Sequence, residues 1–351
     1  MKNHACFSSL AAFGLTSLML LPCAAQADVT IARVTHFDEV TGIASHDTTS
    51  TDYIQGDKKR EENLRKFTGS VLGAWQKFRN EDNGSLDVDI YLVGDNKHLD
   101  LDPKKKTYSE DAIYDPSQQG KQGNPKDNAQ TQQQQKKDDD VKITKNDFTV
   151  KDTGQSKTIN GFDTHEYLVT WDVETVNTKT GEKGKSLMTT DLWNSTDSKL
   201  AKAQEEEVAY GKAYLKLMQL PSNPREMAQY GFSSVNINMT PADEKAFFDK
   251  LRTIKGYNVS MDVRWESAGT DANGKPTNTD NSQQNQSQTL DSALGSLLGS
   301  KPKSDDSSKK PAAGTPGMTT LFSSHIEVKS VDTGAIAAAQ FAVPADYKKE
   351  D

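Results

Sequence analysis

Four segments of the chain alternate apolar and polar residues with a period of two. Leu86, Val88, Ile90 and Leu92 interleave with Asp87, Asp89, Tyr91 and Val93; Tyr167, Val169, Trp171 and Val173 interleave with Leu168, Thr170, Asp172 and Glu174. Val259, Met261, Val263 and Trp265 interleave with Ser260, Asp262, Arg264 and Glu266, and Ile326 and Val328 with Glu327 and Lys329. Successive side chains of a strand point to opposite faces, so this pattern describes a sheet with one buried and one wet face. That is a property of antiparallel sheets. Further strands are expected near 29–42, 48–60, 97–108, 143–151, 185–193 and 319–332. Asp102-Pro103 suits a turn, and Asn160-Gly161 suits a tight hairpin that needs positive φ.

Two helices punctuate the strands. Thr240-Pro241-Ala242-Asp243 supplies an N-cap, a proline at the first helical position and an acid in the first turn. Phe247, Phe248, Leu251 and Ile254 then form the buried stripe, and Gly256 is the expected C-terminal cap. The second helix runs from Ser198 to Met218, with Leu200, Val208, Tyr214, Leu215 and Met218 on its apolar face and Gln204 to Glu207 expected in water. Many strands with two or three helices and no βαβ alternation make the class α+β.

Two stretches lack the residues to build a core. Residues 115–140 contain Ala129 as their single apolar residue, and 267–317 are rich in Ser, Asp, Asn, Gln, Gly, Lys and Pro. Neither can offset the entropy of ordering, so both are read as disordered polar loops inserted in one domain spanning 28–351. Within the second, Leu290 to Leu298 forms a short apolar patch whose leucines share a helical face.

The first 27 residues have the form of a signal peptide: Lys2, an apolar stretch from Ala5 to Leu21, and Ala25-Gln26-Ala27 as the cleavage pattern. Cleavage after Ala27 implies a periplasmic or secreted protein. Cys23 follows Pro22, where a lipidation signal wants a small residue, so a lipid anchor there is disfavoured. Both cysteines, Cys6 and Cys23, lie in this leader. The remaining chain therefore offers neither a disulfide framework nor a cysteine nucleophile. No later run reaches the 18 or so apolar residues that a membrane span needs.

Chemistry-bearing motifs are sparse. His36, His46, His98, His165 and His325 show no metal-ligand spacing, and His165-Glu166 opens like a zinc-protease helix but continues as a strand. Asp87, Asp89, Asp95, Asp100 and Asp102 cluster beside Lys104-Lys105-Lys106 as a charged hairpin end. There is no G-x-S-x-G and no phosphate-binding glycine loop. The formal net charge of −8 argues against a nucleic-acid partner. No cofactor and no catalytic set is expected.

Four short segments occur in a suggestive order: Tyr53-Ile54-Gln55-Gly56-Asp57-Lys58-Lys59-Arg60, then Leu99 to Tyr108 (LDLDPKKKTY), Lys157 to Phe162 (KTINGF), and Phe341 to Lys348 (FAVPADYK). In that order they resemble an uncharacterised bacterial family of the LolA/LolB-like superfamily, which includes lipoprotein carriers. The sequence pattern of the carriers themselves is absent. The resemblance implies a strongly curved antiparallel sheet, a half-barrel, packed on two or three helices. Such a shape can hold an apolar cavity, with Trp171, Trp193, Trp265, Met188, Met261, Phe247 and Phe248 as candidates to line it; the alternative is that they fill a core. Two functions follow as expectations. One is a non-enzymatic periplasmic protein binding a lipid, acyl chain or lipoprotein. The other is a cell-envelope interaction or sensory module working through a sheet edge or its loops.

Overall fold

The computed structural model describes residues 28–79, 81, 83–118, 141–219, 241–271, 274–277 and 315–350. The leader, Thr240 and the Leu290–Leu298 patch lie outside these residues, as do most of the two polar stretches.

The described chain forms one large open sheet with three helices, an α+β arrangement. In chain order the elements are β1 (Val29–Glu39), β2 (His46–Gln55), β3 (Lys58–Phe67), α1 (Ser70–Phe78), β4 (Ser85–Leu92), β5 (Lys97–Asp102) and β6 (Thr107–Ala112). There follow β7 (Val141–Ile159), β8 (Phe162–Asn177), β9 (Lys183–Ser195), α2 (Ser198–Leu217), α3 (Pro241–Leu251), β10 (Tyr257–Thr270), β11 (Pro276–Thr277), β12 (Thr319–Asp332) and β13 (Lys348–Lys349). The strands lie in the order β13-β6-β5-β4-β3-β2-β1-β12-β10-β9-β8-β7, with β11 added on β10. Every pairing is antiparallel except the short one between β13 and β6. The sheet does not close into a barrel.

Local chemistry sets the hairpins. Asn160 and Gly161 take φ of 50° and 86°, the two positive values of a two-residue turn that matches strand twist. At Asp102-Pro103 the Asp102 carboxylate accepts the Lys105 amide at 2.9 Å, closing the β5–β6 turn. The expected strand at 48–60 divides at Gly56, where φ of 60° turns the chain from β2 into β3. The expected polar stretch from Ser267 starts later than its composition suggests, because Ser267 to Thr270 continue β10 along β9. For α2 the cap is Asp197, whose side chain accepts the Lys199 amide. Gly256 does not cap α3, which ends at Leu251 and closes through the Thr253 and Ile254 amides. Its φ of 80° instead lets β10 start tight against β9, where a Cβ would lie 2.5 Å from the Ser195 carbonyl.

The buried face changes sides across the sheet. From β7 to β1 the apolar residues point to the front, where α2 and α3 lie. There Phe247, Phe248, Leu251 and Ile254 cover Phe148, Val169, Met188, Leu192, Met261 and Val263. Beside them α2 sets Leu200, Ala203 and Tyr210 on Val29, Ile31, Ile54, Val259, Val328 and Val331. On β4 and β5 the buried residues Val88, Ile90, Leu99 and Leu101 point to the back, where Phe341, Ile336, Val343 and Tyr347 of the C-terminal segment cover them. Cross-strand register makes these opposite faces of one sheet: Ile31 pairs with Asp52 and Asp52 with Glu61, whereas Ile90 pairs with Arg60.

Candidate functional site

A partly buried polar constellation joins α2 to the sheet. Arg33 occupies a front-facing position of β1, in line with Val29 and Ile31. Its guanidinium donates to Asp52 at 2.5 Å, to Glu207 at 2.5 Å and to the Tyr257 hydroxyl at 2.6 Å, and that hydroxyl donates to Glu207 at 2.9 Å. Burial works against the Arg33 charge, but Tyr257, Glu207 and Asp52 outweigh it and hold the guanidinium above its ordinary range. Burial also lifts the Tyr257 phenol, with Arg33 acting against the rise. Glu207 thus turns inward rather than facing water as the sequence suggests.

A cleft of about 200 Å³ opens beside this network. Gln204 and Glu207 of α2 form one wall, and Met261, Ile326 and Val328 form an apolar floor with Asn194 and Asn258 at the side. The cleft borders the Arg33 ion network, and at its side Asn258 donates to Asn194 at 3.4 Å while Asn194 donates to the Lys255 and Gly256 carbonyls.

The seven aromatic and methionine residues expected to share a cavity divide between two faces. Met188, Met261, Phe247 and Phe248 meet in one buried cluster, with Trp171 packed against it. Trp171 donates to Asn146 at 2.7 Å, and Trp265 donates to Ser186 at 2.6 Å and meets Phe322 edge-on. Met261 alone of the seven borders the cleft. Trp193 lies on the back face, paired with Ser260, under the Lys157 ammonium 3.7 Å from its ring centroid.

The back face carries a transverse row that composition alone did not reveal. Asp47, His36, His325, Asp262 and Asp191 sit opposite one another on β2, β1, β12, β10 and β9. His36 binds Asp47 at 2.5 Å and Asp38 at 2.9 Å; His325 binds Asp262 at 2.8 Å and Glu327 at 3.3 Å. Burial opposes the His36 charge, but its two carboxylates raise its pKa above the usual value. The bond to Asp262 does the same for His325. Burial, with Glu166 nearby, pushes Asp191 up to about 6, and among the described residues its Oδ1 finds no partner.

Ser156, His165 and Asp152 have the outline of a nucleophile set. His165 binds Asp152 at 2.6 Å but stands 3.4 Å from the Ser156 hydroxyl. Asp152 is 60% exposed. A Ser-His-Asp triad depends on a buried acid and a water-excluding site, and this surface provides neither. Among the acidic hairpin residues, His98 takes Asp89 at 2.7 Å and Asp102 takes the turn amide. Among the described residues no three His, Cys, Asp or Glu side chains converge as a metal would require, and no helix is long and apolar enough to cross a membrane. No family model matches the chain, and no curated protein matches it in sequence.

Proposed function

We propose that the chain is an exported, non-enzymatic cell-envelope protein that binds an extended peptide segment of a partner along the open edge of its sheet. The observation that carries this reading is β7. It has 19 residues, stands last in the strand order, and among the described residues pairs on one side only, with β8. Unpaired strand edges accept an added strand through main-chain hydrogen bonds. Exposed Lys142 and Lys151, with register shifts after Ile143 and Asp152, are the devices that keep such an edge from pairing indiscriminately.

The half-barrel of the LolA/LolB-like superfamily belongs to the same proposal. It is supported at one corner, where Asn160 at the β7–β8 tip donates to Glu327 of β12 at 2.7 Å across β9 and β10. An open sheet this wide curls as its twist accumulates. A lipid or acyl chain held between sheet and helices is the second reading, favoured by the apolar floor of the α2 cleft. It ranks lower because ligand pockets usually span roughly 300–1,000 Å³, and α3 fills the neighbouring face.

Photo-crosslinkers placed at Lys151 and Lys157 of β7, and at Lys212 on the outer side of α2, test the order. Defined adducts at the two β7 positions and none at Lys212 are expected. Native mass spectrometry showing one lipid per chain, without β7 adducts, would reverse the ranking.

A further inference from the structure

The exposed large apolar side chains of the described residues gather at one end of the sheet. In this antiparallel array that end is where β1, β3, β5, β8 and β10 finish and where β2, β4, β6, β7, β9 and β12 begin. Phe78 and Trp75 are 85% and 53% exposed on α1, and Val40 follows β1. Leu64 and Leu86 sit opposite each other near the β3–β4 connection, and Val141 and Ile143 open β7.

The orientation of α1 is inverted. Val71, Ala74, Trp75 and Phe78 follow the i, i+3, i+4, i+7 spacing of an apolar stripe, which normally faces a core. Here the residues turned to the protein are Gly73 and Gln76. Gln76 accepts the Phe67 amide at 3.0 Å and donates to the Arg65 carbonyl at 3.0 Å, taking the place of a neighbouring strand. A Cβ on Gly73 would lie 2.9 Å from the Phe67 carbonyl. The helix is therefore fixed with its aromatic side outward.

Cations surround this stripe although the chain as a whole is acidic. Lys77 and Arg79 lie in and just after the last turn, with Arg79 stacked 4.7 Å from the Trp75 ring centre. The β5–β6 turn reaches the same place, since Glu81 binds both Arg79 at 3.3 Å and Lys104 at 3.4 Å. Lys105 and Lys66 are exposed nearby, and Lys142 and Lys183 stand at the same end on β7 and β9.

We propose that this end of the sheet docks on an anionic lipid bilayer, with Trp75 and Phe78 entering the interface and the lysines meeting the headgroups. Apolar residues tipped with aromatics and flanked by cations are the chemistry of an interfacial anchor. The breadth of the surface selects a bilayer over a peptide. From β4 to β7 it crosses eight strand spacings, on the order of 40 Å at the usual spacing between strands. Measured along the curling sheet, that is a broad surface rather than a single groove. The proposal does not depend on strand addition at β7.

The test is cosedimentation of the chain lacking residues 1–27 with vesicles of equal parts phosphatidylglycerol and phosphatidylcholine, and with phosphatidylcholine alone. Binding to the anionic vesicles that weakens with salt is expected. The double substitution Trp75→Ser with Phe78→Ser should lower it about tenfold or more, with the circular dichroism spectrum unchanged. Lys104→Gln with Lys105→Gln should weaken binding at low salt and leave any binding at high salt unaltered. Undiminished binding by the aromatic double variant, or no binding to anionic vesicles at low salt, overturns the proposal. So does self-association through this end, seen by sedimentation and removed by the same double variant, when no vesicle binding accompanies it.

Discussion

Arg33 shows how one side chain ties elements that the sequence separates widely. It belongs to β1, its partners to β2, α2 and β10, and it sits in register with residues that are fully buried. Replacing it with alanine would leave Asp52 and Glu207 facing each other across the gap. Both carboxylates keep some solvent access, 12% and 22% of the side chain. The expected cost is therefore about 2–3 kcal/mol, below that of breaking a fully enclosed pair. Urea unfolding of Arg33→Ala beside Arg33→Met and the parent chain measures it; a change under about 0.5 kcal/mol, the usual range for surface substitutions, would mean the network contributes no stability. Arg33 does not stand out in the sequence, although a lone cation in line with Val29 and Ile31 on a strand is the kind of position that calls for a buried acid. What could not be read was which acid. Glu207 lies in a run of three glutamates, and only the rotation of α2 decides that it turns inward. Asn160-Gly161 and Asp102-Pro103 were legible because their geometry is settled by adjacent residues. Trp193 could not be placed, because a tryptophan on an alternating strand suits either face until it is known what covers each.

At the scale of elements, the strands with clean alternation were legible and β3 was not. Its sequence, Lys58 to Phe67, carries charge on both faces, because it lies where the buried side passes from front to back. The helix α1 was not legible either, although Val71, Ala74, Trp75 and Phe78 follow helical spacing; it is only nine residues long and has no side-chain cap to mark its start. The histidine–carboxylate row is a product of register across β2, β1, β12, β10 and β9, which no single segment contains. That row has a pH consequence. His36 and His325 have folded-state pKa values above the ordinary 6.5. The stability they add is complete below that value and is lost as pH rises through their folded-state values. Asp191 acts in the same direction. Its pKa rises from 3.8 to about 6, so the folded state holds its proton more tightly and stability falls as pH rises across that interval. Melting temperature should accordingly fall between about pH 5 and 8. Asp191→Asn should remove the lower part of this slope and stabilise the chain at neutral pH by about 1–2 kcal/mol, after discounting for partial exposure. Thermal melts of both proteins across that range check the sign; a parent chain that melts higher at pH 8 than at pH 5 would contradict it.

For the whole molecule, the question is whether cores on opposite faces of one sheet behave as one body. The front core under α3 involves β7 to β12, and the back core under the C-terminal segment involves β4 to β6. They share no buried side chain. The α2 cluster lies between them and reaches both ways. It takes in Tyr91 and Val93 from the side of the back core, and Val259, Val328 and Phe162 from the other. The sheet's hydrogen-bond ladder also runs unbroken through β3, β2 and β1. Loosening either core therefore strips packing from α2, and the loss passes to the other half. Phe247→Ala in the front core and Phe341→Ala in the back core each remove a nearly fully buried ring, 3% and 6% exposed, and each should cost about 3–5 kcal/mol. Coupling through α2 requires both variants to shift one common transition. That transition should appear at the same denaturant concentration whether followed by tryptophan fluorescence or by far-ultraviolet circular dichroism. If Phe341→Ala instead produced a separate early transition while the front core unfolded at its original midpoint, α2 would not join the halves and the sheet would hold two independent units. Leu200→Ala at the joint distinguishes the cases further. In a coupled molecule it lowers the single midpoint without splitting it, whereas in a divided one it affects only the half that α2 belongs to.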